Sequence, residues 1–116
     1  MNDLLRPSLY GAQHEILTVI KKGYCKNTEA PNLVDIVGPV CETGDTFATE
    51  IEFPSVKQQE LIAIKSAGAY GAVMSSTYNS RALVPEVLVK GNMFSVIRDR
   101  INIDTLMSFE NLPDWL

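Results

Sequence analysis

The chain has 116 residues, of which 46% are hydrophobic and 21% are charged, with a formal net charge of −4. This length and composition predict one folded domain and exclude wholesale disorder. The basic residues form no run longer than two, so the footprint of a nucleic-acid-binding protein is missing. The longest apolar stretches are far shorter than the roughly 20 residues of a membrane-spanning helix. We therefore expect neither nucleic acid nor a membrane as a partner.

Cysteine and metal-ligand patterns give two further expectations. The chain has two cysteines, without a disulfide framework or a secretory signal pattern, which predicts free thiols and a cytoplasmic location. No cluster of histidine, cysteine and acidic residues has metal-ligand spacing, so no metal site is expected.

The first half of the chain favours extended structure interrupted by turns. Residues 1–11 contain a proline and predict a loop, which leads into an extended run ending near Ile20. A turn signal follows at residues 21–23. Residues 33–40 are rich in β-branched side chains and predict a strand. Residues 50–53 alternate acidic and apolar side chains and are closed by a proline, which predicts an edge strand.

The second half continues this pattern of short elements. Residues 61–65 form a short apolar run, and the small residues at 66–72 predict a site or a tight backbone contact. Residues 86–89 and 94–98 flank a turn containing glycine and asparagine and predict a hairpin. Residues 103–116 have helix-compatible spacing behind an aspartate cap. Together these features predict an all-β fold, a Greek-key-like barrel or sandwich with a short C-terminal helix.

A thiol and two carboxylates stand close together after the strand at residues 33–40. Cys41 and Glu42 are adjacent, and Asp45 follows a glycine turn, so the three form a candidate acid–base set. The alternative is a small buried cysteine beside solvated acidic residues. Neighbouring negative charge disfavours a thiolate, so a reactive Cys41 would act as a neutral proton donor.

Four other polar or aromatic residues are candidates for ligand binding. Arg6 can hold a carboxylate with two hydrogen bonds, and Tyr10 can add a third. Tyr70 has small neighbours that leave room for a planar ligand, although an aromatic packed in the interior fits equally well. His14 is the single histidine, and we expect a hydrogen-bonded structural role for it rather than a catalytic one.

Three motifs follow one another along the chain: Arg6-Pro7-Ser8-Leu9-Tyr10-Gly11-Ala12, Gly38-Pro39-Val40-Cys41-Glu42-Thr43-Gly44-Asp45 and Ser66-Ala67-Gly68-Ala69-Tyr70-Gly71. In this order they resemble the C-terminal domain of the diaminopimelate decarboxylases, which belong to the fold-type III pyridoxal-phosphate enzymes. The segments at residues 78–81 and 85–89 fit the same pattern, so the resemblance covers nearly the whole chain. Two positions depart from it, Gln13 in place of an aromatic residue and Ala82 in place of a proline.

The resemblance implies roles for the candidate residues. Arg6 and Tyr10 would bind the distal end of an amino-acid substrate, and Glu42 its distal ammonium group. Tyr70 would contact both the substrate and the cofactor, pyridoxal 5'-phosphate. Cys41 would be the catalytic proton donor, delivered to the active site of the neighbouring subunit in a homodimer with shared active sites.

The resemblance also implies that half of the active site lies elsewhere. Family members hold the cofactor on a lysine of an N-terminal α/β barrel, and none of the six lysines here matches that lysine. We therefore expect residues 1–116 to be the C-terminal β domain, a fragment that is inactive alone and in which Met1 resembles an internal residue. The open alternatives are a related decarboxylase acting on ornithine, arginine or carboxynorspermidine, and a non-catalytic β binding module.

Overall fold

The computed structural model describes residues 2–19 and 29–116. Within them, the strands form three two-stranded antiparallel sheets joined by short helices. The elements in chain order are α1 (Pro7–Tyr10), β1 (Ile16–Val19), β2 (Asn32–Val37), β3 (Thr46–Phe53), β4 (Leu61–Ile64), α2 (Gly68–Met74), a 3₁₀ turn (Tyr78–Ser80), β5 (Glu86–Lys90), β6 (Met93–Arg98) and α3 (Ile103–Met107). The turn predicted at residues 21–23 lies outside the described residues.

The sheet of β2 and β3 confirms two predicted strands and changes their limits. Strand β2 ends at Val37 rather than at residue 40, because the chain turns at Gly38, whose N–H donates to the carbonyl of Asp45 at 2.7 Å. Residues 50–53 form only the second half of β3. The register between β2 and β3 shifts twice, which marks β-bulges beside the loop that joins the two strands.

The predicted hairpin is present as β5 and β6. Gly91 and Asn92 form its two-residue turn, and Gly91 adopts a φ of 59°, a conformation that glycine enters without strain. The hairpin is apolar on both faces and strongly exposed, since Val89, Met93 and Phe94 are 66, 67 and 76% accessible. Cross-strand pairing therefore forms this sheet, but the described residues do not bury it.

Two segments fold as helices where the sequence predicted other structure. Pro7 begins α1 because the first turn of a helix needs no N–H from that residue, and Gly11 ends it with a φ of 65°. Of the two alternatives predicted for residues 66–72, a site or a tight backbone contact, the structure does not show the tight contact. A Cβ atom added at Gly68 or Gly71 would meet nothing within 4 Å, so no close approach within the described residues requires glycine at these positions of helix α2.

The C-terminal helix exists but is shorter than residues 103–116. Helix α3 ends at Met107, and its cap is Asn102 rather than the predicted aspartate. The Asn102 side-chain oxygen accepts the N–H of Thr105 at 2.8 Å, which satisfies one of the free donors of the first turn. No helix within residues 2–19 and 29–116 combines the length and hydropathy needed to cross a bilayer.

The buried apolar core of the described residues is small. Its members are Leu5 before α1, Val40 in the loop between β2 and β3, and Phe53 at the C-terminal end of β3. The radius of gyration is 17.4 Å, against about 13 Å for a compact domain of this length. The fold is therefore mostly β with few helices, and the sheets of the described residues do not join into a closed barrel.

Candidate functional site

The residues singled out from the sequence lie close together in the structure, and Tyr78, which the sequence did not single out, joins them. They come from α1 and the residue before it, the loop between β2 and β3, helix α2 and the 3₁₀ turn. We call this group the candidate site: Arg6, Tyr10, Cys41, Glu42, Tyr70 and Tyr78. Arg6 and Tyr10 are one helical turn apart, so they join a charged part of the site to an aromatic part.

The loop at residues 38–45 is held closed by one buried carboxylate. Asp45 is 2% exposed, and its side chain accepts the N–H of Val40 at 2.9 Å. Its backbone N–H donates to the carbonyl of Glu42 at 3.0 Å. These bonds close the loop and leave Cys41 at its tip as an exposed free thiol. The alternative of a small buried cysteine is therefore wrong.

Gly44 lets the loop tip lie against α1. The Ser8 hydroxyl donates to the Gly44 carbonyl at 3.3 Å, which ties the loop to the helix. A Cβ atom at Gly44 would lie 3.1 Å from Oε1 of Glu42, which is tighter than ordinary packing, and at an ordinary contact distance of 3.5 Å from Oγ of Ser8. Glycine at this position therefore allows the Glu42 carboxylate to fold back toward α1.

Arg6, Glu42 and Tyr78 form the charged part of the site. Nη2 of Arg6 lies 3.9 Å from Oε2 of Glu42, and the two side chains are 39 and 38% exposed, so both remain open to a ligand. The guanidinium carbon of Arg6 lies 5.3 Å from the centre of the Tyr78 ring, a cation–π contact. Interaction with the Glu42 carboxylate, through its hydrogen-bonding oxygens and its negative charge, raises the pKa of the Tyr78 phenol.

Two contacts to Asp3 hold Tyr78 in place. The buried Asp3 carboxylate accepts Nε–H of Arg81 at 2.7 Å, and the Asp3 carbonyl accepts the N–H of Ser76 at 2.8 Å. The segment that carries Tyr78 is thus fastened at both ends to the N-terminal turn that carries Arg6. Sequence reasoning gave Tyr78 no role, although its segment fits the family pattern.

Tyr10 and Tyr70 form the aromatic part of the site. Their rings stack with centroids 4.4 Å apart and an interplanar angle of 14°. Burial, and to a smaller extent the neighbouring phenol of Tyr70, raise the pKa of Tyr10, so its hydroxyl stays protonated. Tyr70 is 44% exposed, so it can contact a further planar group from the side that Tyr10 leaves open.

His14 is hydrogen-bonded, as predicted, but it lies before β1 rather than on a strand. Its Nε2 is 2.7 Å from the Tyr10 hydroxyl, and its Nδ1 is 3.0 Å from the carbonyl of Lys65. The ring also meets Tyr10 edge to face, with centroids 5.8 Å apart. In the part of the chain that the structure describes, no group of three or more acidic, histidine or cysteine side chains could hold a metal ion.

Substituting Tyr78 with phenylalanine tests the charged part of the site. The change keeps the ring under Arg6 and removes only the hydroxyl, which interacts with Glu42. We expect the KM for a substrate bound by Glu42 to rise by about fivefold, because the carboxylate loses a neighbouring polar group that helps to position it. Because Tyr78 is exposed, the substitution is expected to leave the fold intact, and thermal unfolding checks this. An unaltered KM would contradict a role for Tyr78 in positioning Glu42.

The sequence of the chain matches a known protein family and two relatives. A family model described as pyridoxal-dependent decarboxylase, C-terminal sheet domain, matches residues 1–68. The chain is 51% identical over 116 residues to diaminopimelate decarboxylase of Zymomonas mobilis, covering all of the chain and 26% of that protein. It is 41% identical to diaminopimelate decarboxylase of Archaeoglobus fulgidus, covering 99% of the chain and again 26% of the relative.

Solved structures give a matching result. A crystal structure of diaminopimelate decarboxylase from M. jannaschii in co-complex with L-lysine aligns over the whole chain with a TM-score of 0.84 at 33% identity. One from Helicobacter pylori complexed with L-lysine aligns over 94% of the chain with a TM-score of 0.77 at 39% identity. The chain spans about a quarter of the length of these relatives, 25 and 26% respectively.

Proposed function

The chain belongs to the pyridoxal-dependent decarboxylases, whose C-terminal sheet domain it carries, and we propose that it supplies the substrate-binding side of a diaminopimelate decarboxylase active site. The complete protein would release carbon dioxide from one amino-acid head of meso-2,6-diaminopimelate and leave L-lysine. The chain would contribute residues that recognise the other, distal head and a residue that returns a proton.

The observation that carries this proposal is the loose pairing of Arg6 with Glu42. At 3.9 Å the two charges attract each other, yet both are accessible and neither uses up its hydrogen-bonding capacity on the other. The distal head of diaminopimelate carries a carboxylate and an ammonium group. Arg6 matches the carboxylate with a planar pair of donors, and Glu42 matches the ammonium.

The same pair argues against the related substrates. A diamine precursor such as ornithine ends in an ammonium group without a distal carboxylate, so Arg6 would stand in the site without a partner charge. The relatives described above, from Zymomonas and Archaeoglobus, are diaminopimelate decarboxylases. We therefore place diaminopimelate ahead of the ornithine, arginine and carboxynorspermidine alternatives.

The residues present fit a contact with pyridoxal 5'-phosphate but not its covalent attachment. Tyr70 offers a half-exposed aromatic ring beside Tyr10, which suits a planar cofactor and its substrate. Lys65 follows strand β4, and its ammonium is ion-paired to Glu15 at 2.7 Å, a state that is a poor nucleophile for Schiff-base formation. When bound, the cofactor supplies the electron sink for decarboxylation, and its attachment belongs to the part of the relatives outside this chain.

We assign the returned proton to Cys41. Its thiol is exposed at the tip of a closed loop, next to the Glu42 carboxylate. A group exposed in this way can reach an active site formed with another subunit, in accord with a homodimer that shares its active sites. Cys41 would donate its proton to the carbon that has lost carbon dioxide.

The exposed apolar surface supports a partnership with the rest of the protein and a second subunit. The accessible surface is 9373 Å², against roughly 6,300 Å² for a compact protein of this mass. Exposed apolar side chains lie on both faces of the hairpin β5–β6. We propose that further strands cover this hairpin and complete the Greek-key-like barrel or sandwich, and that the whole enzyme is cytoplasmic.

A reconstitution assay tests the proposed division of labour. Residues 1–116 and the remaining part of the complete protein are prepared separately and assayed, alone and mixed, for carbon dioxide release from diaminopimelate with added pyridoxal phosphate. We expect activity only in the mixture and in the intact protein. Activity from residues 1–116 alone would contradict the proposal, and a preference of the intact protein for ornithine would replace the substrate assignment.

A further inference from the structure

The hydrogen bonds of His14 fix where the Tyr10 proton points. The Lys65 carbonyl, 3.0 Å from Nδ1, can only accept, so Nδ1 carries a proton. In neutral imidazole the other nitrogen is then an acceptor. Nε2, 2.7 Å from the Tyr10 hydroxyl, therefore receives the single proton of that hydroxyl. Tyr10 has only oxygen lone pairs left for a ligand.

Because the Tyr10 hydroxyl donates its proton to His14, it is unsuited to bind a carboxylate ligand. A carboxylate needs a donor, and a hydroxyl that already donates to His14 has no second proton to give. Protonation of His14 removes the conflict, because Nε2–H then donates to the Tyr10 oxygen and frees the Tyr10 O–H. The protonation state of the imidazole thus selects whether Tyr10 presents a donor or an acceptor to the site.

Among the residues of the candidate site, His14 makes its hydrogen bond to Tyr10. Tyr10 faces it from α1, and Tyr70 of α2 lies behind the Tyr10 ring. From the end of β4, Lys65 offers its carbonyl, while its ammonium is paired with Glu15 at 2.7 Å. The charges of Lys65 and Glu15 therefore offset each other, and the ring nitrogens have one carbonyl and one phenol as partners.

We propose that His14 is a positioning residue that takes up a proton when a carboxylate binds at Tyr10. The inference rests on the proposed function, in which Tyr10 contacts the distal carboxylate of the substrate. Carboxylate binding draws the proton onto His14, which turns the Tyr10 hydroxyl toward the ligand as a donor. An ammonium group, which needs an acceptor, is instead favoured by neutral His14.

Binding of L-lysine and cadaverine to the complete holoenzyme tests this coupling. L-lysine keeps one carboxylate, and cadaverine is the same chain without it. We expect calorimetry to show lysine affinity falling about five- to tenfold from acidic to alkaline buffer, because the effect is limited to the energy of one hydrogen bond. Cadaverine affinity is expected not to fall. Titrations in buffers of different ionisation enthalpy are expected to show proton uptake with lysine alone.

Two substitutions at His14 separate its two hydrogen bonds. The amide of His14→Gln reaches Tyr10 and can donate or accept without a proton, so lysine affinity is expected to stay at its acidic-pH value throughout. The shorter His14→Asn reaches the Lys65 carbonyl but not Tyr10, so affinity is expected to be weak and independent of pH. An unchanged pH profile in His14→Gln would overturn the inference.

A third variant distinguishes this inference from the function on which it rests. Tyr10→Phe is expected to weaken lysine binding several-fold and to remove its pH dependence. If Tyr10→Phe weakens binding while wild type and His14→Gln share one pH profile, His14 has no such role and the assignment of Tyr10 stands. If Tyr10→Phe binds lysine normally, both the assignment of Tyr10 and the inference fail.

Discussion

Replacing Cys41 with alanine is expected to lower kcat of the complete enzyme by about 10²- to 10⁴-fold, the usual contribution of a general acid. The thiol is exposed at the tip of the loop between β2 and β3, and the proposed role of Cys41 begins only after carbon dioxide has left. The substrate contacts proposed for Arg6 and Glu42 remain, so KM is expected to change little. Steady-state kinetics with diaminopimelate measures both constants.

The chain offers a matched control for this substitution. Cys25, which lies outside the described residues, is the second cysteine, and Cys25→Ala is expected to leave kcat unchanged. In Cys41→Ser a weaker acid occupies the same place, so an intermediate kcat is expected. A Cys41→Ala enzyme with wild-type kcat would end the assignment of the proton donor.

Local elements with strong turn chemistry could be predicted from the sequence. The hairpin β5–β6 follows from two apolar runs around a glycine and asparagine pair, because that turn needs a positive φ. The strand β2 follows from its β-branched side chains. The C-terminal limit of β2 could not be predicted from the sequence. Val37 is its last residue only because a hydrogen bond from Gly38 to Asp45 closes the following loop.

The helices and the sheet arrangement were harder to predict. Helix α2 consists largely of small residues that equally well signal a close contact, and only the open space around Gly68 distinguishes the two. The barrel prediction counted strands without knowing which of them pair. Within the described residues they pair two by two, and the exposed faces of β5 and β6 depend on surfaces supplied from elsewhere.

The site could be predicted as three separate motifs but not as a geometry. The Arg6, Glu42 and Tyr70 motifs are far apart in the chain, and the contacts that unite them are long-range. Tyr78 was missed because its position depends on Asp3, whose burial and bonds to residues 76 and 81 have no local pattern.

Replacing Arg6 with methionine is expected to weaken L-lysine binding by roughly tenfold, the lower end for hydrogen bonds between charged groups because the side chain is partly exposed. Methionine preserves much of the apolar stem while removing the guanidinium. Cadaverine has no carboxylate, so its affinity is expected to change less than twofold, within about 0.4 kcal/mol. Stability is expected to fall by at most ~1 kcal/mol, since the exposed pair with Glu42 is worth little. Calorimetry of both ligands and thermal unfolding measure these effects.

Glu42→Gln provides the complementary result. Loss of this carboxylate is expected to weaken lysine and cadaverine alike, because both ligands carry the ammonium group that Glu42 is proposed to bind. Arg6→Met and Glu42→Gln thus differ in their pattern across the two ligands, although both remove one half of the same ion pair. Equal loss of both ligands in Arg6→Met would mean that Arg6 acts by orienting Glu42 and Tyr78, and the assignment of the distal carboxylate to Arg6 would then be wrong.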